Sequence, residues 1–187
     1  MKTSTKILLL VGAAGLLAAC ASGPREVPPL TAGNVDLQRY QGQWYEVARL
    51  PMFFQRKCAQ SDANYHVMAD GSVAVFNRCR TLSGKVQEAT GTATPIKPGV
   101  TDRLEVRFDT WFSGVLPNVA KGPYWILYVD DDYKTALVGS PDRKYLWLLA
   151  RKPDISAAQS EKLLRIAREK GYNLNRLVWR ETDAHMP

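Results

Sequence analysis

The chain predicts an all-β fold, a barrel or a sandwich, with one helix near its end, on three observations. Short β-prone runs recur between residues 43 and 151, separated by Gly, Pro and Asp turn signals. Two of them, Tyr124-Trp125-Ile126-Leu127-Tyr128-Val129 and Tyr145-Leu146-Trp147-Leu148-Leu149-Ala150, are apolar on both faces, whereas a strand half in water alternates. One segment of helical period, marked by Leu163, Leu164 and Ala167, follows the last long run.

The elements follow in order. Lys2 and Lys6 precede an apolar run from Ile7 to Ala19, too short to span a bilayer, so residues 1–19 read as a signal peptide. Leu17-Ala18-Ala19-Cys20 resembles the lipobox of bacterial lipoproteins, which implies that Cys20 is lipidated and becomes the first mature residue. Ala21 and Ser22 are not the aspartate that retains such proteins at the inner membrane, so the resemblance implies the outer membrane, with the domain facing the periplasm. Residues 20–33, rich in Pro and small side chains, read as a tether reaching roughly 40 Å at ~3.1 Å per residue. Residues 34–183 are then one domain, large enough for a real core.

Within that domain strands are expected at 43–50, 58–67, 72–80, 85–94, 102–109, 123–130, 134–139 and 144–151. Asp70-Gly71, Ser83-Gly84 and Pro141-Asp142 turn between them, and Pro95 and Pro98-Gly99 end the fourth. Ser156 with Gln159 three residues on is a capping-box pattern that starts the helix, and Gly171 stops it. Leu174 to Trp179 is a final short strand.

Composition narrows the function classes. Removing residues 1–19 takes away two lysines and no acid, so the formal charge falls from +7 to +5. There is no basic run or nucleic-acid motif, so nucleic acid is not an expected partner. Two histidines, His66 and His185, and no zinc spacing give no triad, metal site or haem ligand, and no cofactor is expected. With Cys20 lipidated, Cys58 and Cys79 remain as a candidate disulfide or as two buried thiols.

Gly42-Gln43-Trp44-Tyr45 opens the first strand, Asp131-Asp132-Tyr133 follows the sixth, and Arg151 ends the eighth. These resemble the three motifs of the lipocalin family, G-x-W-Y, T-D-Y and a closing arginine, with Asp131 in place of the threonine. The resemblance, to the apolipoprotein-D-like bacterial outer-membrane branch, covers nearly the whole chain after the tether. It implies an eight-stranded up-and-down antiparallel barrel with one C-terminal α-helix and a short ninth strand. It also implies that Arg151 stacks on Trp44 at one end, the floor, beside Gly42, Asp132 and Tyr133.

Because each strand of a meander reverses direction, strand parity puts Cys58 and Cys79 near the opposite end, the mouth. The mouth loops hold Met52, Phe53 and Phe54, and Trp111, Phe112, Val115 and Leu116. Apolar loop tips suit an entrance that admits a lipid chain or touches a bilayer, or else an inward plug. With Trp44 pointing inward, Glu46 and Ala48 point in above it unless a bulge shifts the register. Glu46 is either a polar anchor for a ligand or bonded to a neighbouring tyrosine. On the sixth strand either Tyr124, Ile126 and Tyr128 or Trp125, Leu127 and Val129 line the interior; Tyr124 and Tyr128 are the candidate ligand contacts. On the eighth, Tyr145, Trp147 and Leu149 share the face of Arg151.

An eight-stranded barrel holds side chains or one small ligand. Burying about fourteen methylenes at ~0.8 kcal/mol gives roughly 11 kcal/mol gross, hence binding near the micromolar range or tighter after association costs. The expected function is a membrane-anchored binding protein, not an enzyme, that stores or carries a long-chain fatty acid or lysophospholipid for envelope maintenance. A plugged, partner-binding lipoprotein and a cysteine-dependent enzyme are the alternatives, and a homodimer is left open.

Overall fold

The structure, a computed structural model, describes residues 27–109 and 121–187. Eight strands form a meander: β1 (Gly42–Arg49), β2 (Cys58–Val67), β3 (Val73–Thr81), β4 (Val86–Pro95), β5 (Arg103–Phe108), β6 (Lys121–Val129), β7 (Thr135–Gly139) and β8 (Leu146–Ala150). Each pairs antiparallel with the next, and β1 pairs with both β2 and β8, which closes the sheet into a barrel. A short helix α1 (Leu37–Tyr40) precedes β1, and helix α2 (Ala157–Glu169) follows β8. Strand β9 (Val178–Trp179) pairs with the mouth end of β1, so the expected final strand is two residues long rather than six. Helix α1 was not among the expected elements, although Asp36 caps it by accepting from the amides of Gln38 and Arg39.

The two all-apolar strands face two cores. Inside the barrel Trp44, Ile126, Ala136, Val138 and Leu149 pack together. Outside it, Leu127, Leu137, Leu146 and Leu148 lie beneath Leu163 and Ala167 of α2. Helix α2 has the capping box that Ser156 and Gln159 predict. Each large apolar side chain removed from water in these layers contributes about 1.5–3 kcal/mol, so α2 is held by the wall it covers.

Three bulges interrupt the register, at Val47, Ala59 and Leu127, and two of them move expected cavity residues to the other face. On β1, Glu46 pairs with Leu149 and Ala48 with Leu148, so Val47 is an extra residue. Beyond it parity inverts. Ala48, expected in the cavity, lies in the outer core beneath α2, and Arg49 turns inward instead. On β6 the extra residue is Leu127, between the pairs Ile126–Val138 and Tyr128–Leu137. Tyr124 and Ile126 line the interior, whereas Tyr128, also expected there, packs on the outer core with Lys162 5.4 Å from its ring. A bulge adds one residue to one strand only, and every side chain beyond it changes face.

The floor is closed by Arg151. Its guanidinium carbon sits 4.0 Å from the Trp44 ring centroid. It donates to the carbonyls of Gln43 (2.8 Å), Arg39 (2.8 Å), Tyr40 (3.1 Å) and Tyr133 (3.1 Å). Trp44 Nε1 donates to the Tyr40 carbonyl at 2.7 Å. Gly42 has φ +92°, and an added Cβ would lie 3.4 Å from Arg151 Nη1, so glycine suits both the backbone and the close approach. Tyr133 accepts the Asp36 amide with its hydroxyl. Asp132 points to solvent and pairs with Lys134 at 2.7 Å. The carboxylate that orders this turn is the neighbouring Asp130, which accepts from the amides of Lys134 and Thr135 and from the Thr135 hydroxyl.

Contacts with the barrel extend to residues before Asn34. The chain from Val27 onward is hydrogen-bonded to the barrel and to α2, so residues 27–33, expected in the tether, belong with the domain.

Candidate functional site

The barrel encloses a cavity of about 260 Å³ open at the mouth. Small and apolar side chains form most of its wall, among them Ala63, Val75, Ala93, Leu104, Val106 and Ile126. Alanines at inward positions of β2 and β4 leave room that larger residues would fill. Sequence alternation on these strands is too weak to single them out.

Two polar groups interrupt the apolar wall. The first lies toward the mouth and is built on the β1 bulge. Arg49 donates through Nη1 to Glu46 Oε1 at 2.7 Å, and through Nη2 to the carbonyls of Gln55 and Cys58, both at 2.9 Å. Gln55 donates to Glu46 Oε2 at 2.9 Å and accepts Trp147 Nε1 at 3.0 Å. Arg49 is 3% exposed and Glu46 5%, so both charges are buried and each is answered by the other. Glu46 is therefore neither a free anchor nor bonded to a tyrosine, and its partner Arg49 became available only through the bulge.

The second group lies deeper. Tyr40 and Tyr124 hydroxyls are 2.9 Å apart, and Tyr124 donates to Tyr65 at 3.0 Å. Burial, with Tyr65 next in effect, pushes Tyr40 well above the usual tyrosine value. Burial also dominates at Tyr124 and raises Tyr65 to about 12. The hydroxyls therefore stay neutral. Tyr40 and Tyr65 were not among the expected contacts; Tyr65 is reached from the inward parity of β2, and Tyr40 through the unforeseen α1.

At the mouth Phe54 lies 5.8 Å from Tyr145, while Phe53 is 71% exposed. Both line the cavity entrance, as does Trp147, whereas the cations Arg78 and Lys121 stand at outward positions of β3 and β6, opposite Asp62 and Arg107. Arg78 pairs with Asp62 at 3.1 Å and Lys121 with Glu105 at 2.8 Å, each half exposed. Cys58 and Cys79 are joined by a disulfide, Cα atoms 5.4 Å apart, which ties β2 to β3 near the mouth and leaves neither sulfur as a thiolate. No group of metal-ligating side chains occurs among the described residues. Cys20, Trp111, Phe112, Val115 and Leu116 lie outside the described residues.

A closed eight-stranded barrel, floored by an arginine on a tryptophan and open over an apolar cavity, agrees with the comparisons to known proteins. The lipocalin-like domain model matches residues 35–182. The chain belongs to the lipocalin family. It is 33% identical over 174 residues to the outer membrane lipoprotein Blc of Citrobacter freundii, covering 92% of this chain and 94% of that one. It is 32% identical over 159 residues to apolipoprotein D of Bos taurus, covering 79% of each. Among solved structures, insecticyanin of the tobacco hornworm Manduca sexta superposes with a TM-score of 0.64 at 16% identity, over 86% of this chain and 87% of that one. That likeness concerns the lipocalin fold alone.

Proposed function

We propose that this lipocalin is a membrane-anchored carrier of single-chain lipids, a long-chain fatty acid or a lysophospholipid, that serves the bacterial envelope. The observation that carries the reading is the cavity: about 260 Å³ and largely apolar, with the Glu46–Arg49–Gln55 group toward its mouth and the tyrosine hydroxyls deeper. That volume lies near the low end of the ~300–1,000 Å³ usual for ligand pockets, which suits one slender chain better than two. A carboxylate or phosphate left at the mouth stays in water, while the acyl chain takes the apolar wall.

The anchor reading rests on the lipobox-like Leu17-Ala18-Ala19-Cys20 and on relatives named as outer membrane lipoproteins. A binding role rather than an enzymatic one is supported by the family and by the disulfide, which removes the cysteine nucleophile that the enzymatic alternative needs. Against the plugged-barrel alternative stands Phe53, which turns to solvent; the other loop of that alternative, with Trp111 and Phe112, lies outside the described residues.

Titrating delipidated protein, residues 27–187, with a fluorescent fatty acid tests the carrier reading. Uptake near the micromolar range, competed by unlabelled lysophospholipid, is expected; a sample that takes up neither overturns it. Mass analysis of the N-terminal peptide of native protein tests the acyl group on Cys20.

A further inference from the structure

The described chain begins at the mouth of the barrel, not at its floor. The Val27 carbonyl accepts from Arg143 Nη2 at 2.8 Å, and Arg143 lies in the mouth connection between β7 and β8. Lys170, just past the end of α2, donates to the Leu30 carbonyl at 2.7 Å. The segment then descends the wall. The Ala32 amide meets the Ile126 carbonyl, the Gly33 amide meets the Asp102 carboxylate, and the Asp36 amide reaches Tyr133 at the floor.

Val27 lies only seven residues beyond Cys20. Fully extended they span about 25 Å at ~3.5 Å each. The ten residues of β2 alone stand roughly 26 Å high at a tilt near 40°, before any loop is added. A floor set against the membrane that holds Cys20 would need those seven residues to retrace that whole wall. A mouth set against the membrane needs none of it.

The rim has the chemistry for that contact. Phe53, Leu82 and Val86 are 71%, 62% and 50% exposed. Arg56, Lys57 and Lys85 are exposed among them, and the Cys58–Thr81 pairing brings Lys57 and Leu82 side by side. Asp142, a rim acid, is matched by Lys144 at 3.1 Å. The floor instead carries the run Asp130-Asp131-Asp132, with Lys134 beside it. Cations interspersed with apolar side chains favour an anionic bilayer surface, whereas an acidic turn opposes it.

We propose that the mouth docks on the anionic lipid surface in which Cys20 is anchored, so that the cavity opens onto the leaflet and takes its lipid from there without passage through water. This rests on the acylation of Cys20 proposed above. The short link turns docking into an intramolecular event, and each rim cation near the surface strengthens it about fivefold.

Lysine acetylation of the full mature lipoprotein, read by mass spectrometry, tests the orientation. The protein is compared in vesicles of phosphatidylethanolamine and phosphatidylglycerol and after proteolytic release from them. Protection of Lys57, Lys85 and Lys144 by threefold or more in vesicles is expected, with Lys134 and Lys152 at the floor unchanged. Equal labelling at both ends, or protection of the floor lysines, overturns the proposal while leaving the anchor intact. A Cys20 peptide without acyl mass overturns the anchor and the proposal together. In a second arm Leu82→Asp with Lys85→Glu, both exposed and outside the cavity wall, should slow transfer of a fluorescent lysolipid from the protein's own vesicle about tenfold. Its binding from solution should be unchanged. Transfer at the parent rate overturns the proposal.

Discussion

Removing the Arg151 guanidinium should open the barrel floor at a cost that follows from its contacts. Arg151 lies 4.0 Å over Trp44 and donates to four backbone carbonyls from three separate segments. The partly desolvated cation–π contact contributes about 1–2 kcal/mol. Tyr40 keeps a donor in Trp44 Nε1. The exposed Arg39 carbonyl turns to water, while Gln43 and Tyr133 lose the hydrogen bond from Arg151 at about 1 kcal/mol each. Arg151→Ala should therefore cost roughly 3–4 kcal/mol, or a fall in Tm of roughly 6–15 °C for a domain of this size. Arg151→Lys keeps the cation but not the planar fork, so about half the loss is expected. Urea unfolding followed by tryptophan fluorescence measures both. A loss below 1 kcal/mol for alanine, or equal losses for alanine and lysine, would refute the view that the fork and the stacking together hold the floor.

Other predictions follow from the same geometry. Reducing the Cys58–Cys79 disulfide, which spans 21 residues, should cost about 3 kcal/mol by the chain-entropy argument; a melt unchanged by reductant would count against it. Tyr65 has a folded pKa raised above its unfolded value of 10.0 to about 12. Its stabilisation is therefore complete below pH 10 and disappears as pH rises through 12, amounting to roughly 2–3 kcal/mol. Alkaline titration should show tyrosinate absorbance from the buried triad only as the barrel unfolds, and early titration of all eight tyrosines would contradict this. Ala93→Phe places a ring in the cavity from β4 and should weaken acyl-chain uptake at least tenfold, because the ring occupies volume the chain needs; uptake at the parent affinity would show that the ligand binds elsewhere. Arg49→Met leaves the Glu46 carboxylate buried without its cation, at about 3–5 kcal/mol, and a urea midpoint close to the parent's would show that water reaches the pair.

Much of the barrel was legible in the residues. Gly42, Trp44, Tyr133 and Arg151 meet at the floor because strand parity brings the start of β1 and the ends of β6 and β8 to one end. Cys58 and Cys79 meet near the mouth for the same reason. The double apolar faces of β6 and β8 implied a cover, and α2 supplies it. Asp132 was less well placed: in a turn of three consecutive aspartates, which one bonds the backbone depends on local angles, and Asp130 has that role.

The cavity's detailed lining belongs to the tertiary structure. Val47 and Leu127 look like ordinary strand residues, and only pairing with a neighbouring strand makes them extra. They send Ala48 and Tyr128 outward and bring Arg49 in beside Glu46. The direction of the N-terminal segment is equally invisible in a Pro-rich stretch, since Val27 reaches the mouth through bonds to Arg143, 116 residues away. Local pattern determined which strands and which barrel this chain forms, because alternation, turns and caps act over a few residues. Register and long-range hydrogen bonds decided which side chains line the cavity and from which end of the barrel the N-terminal segment sets out, because both arise from pairing between segments far apart in the chain.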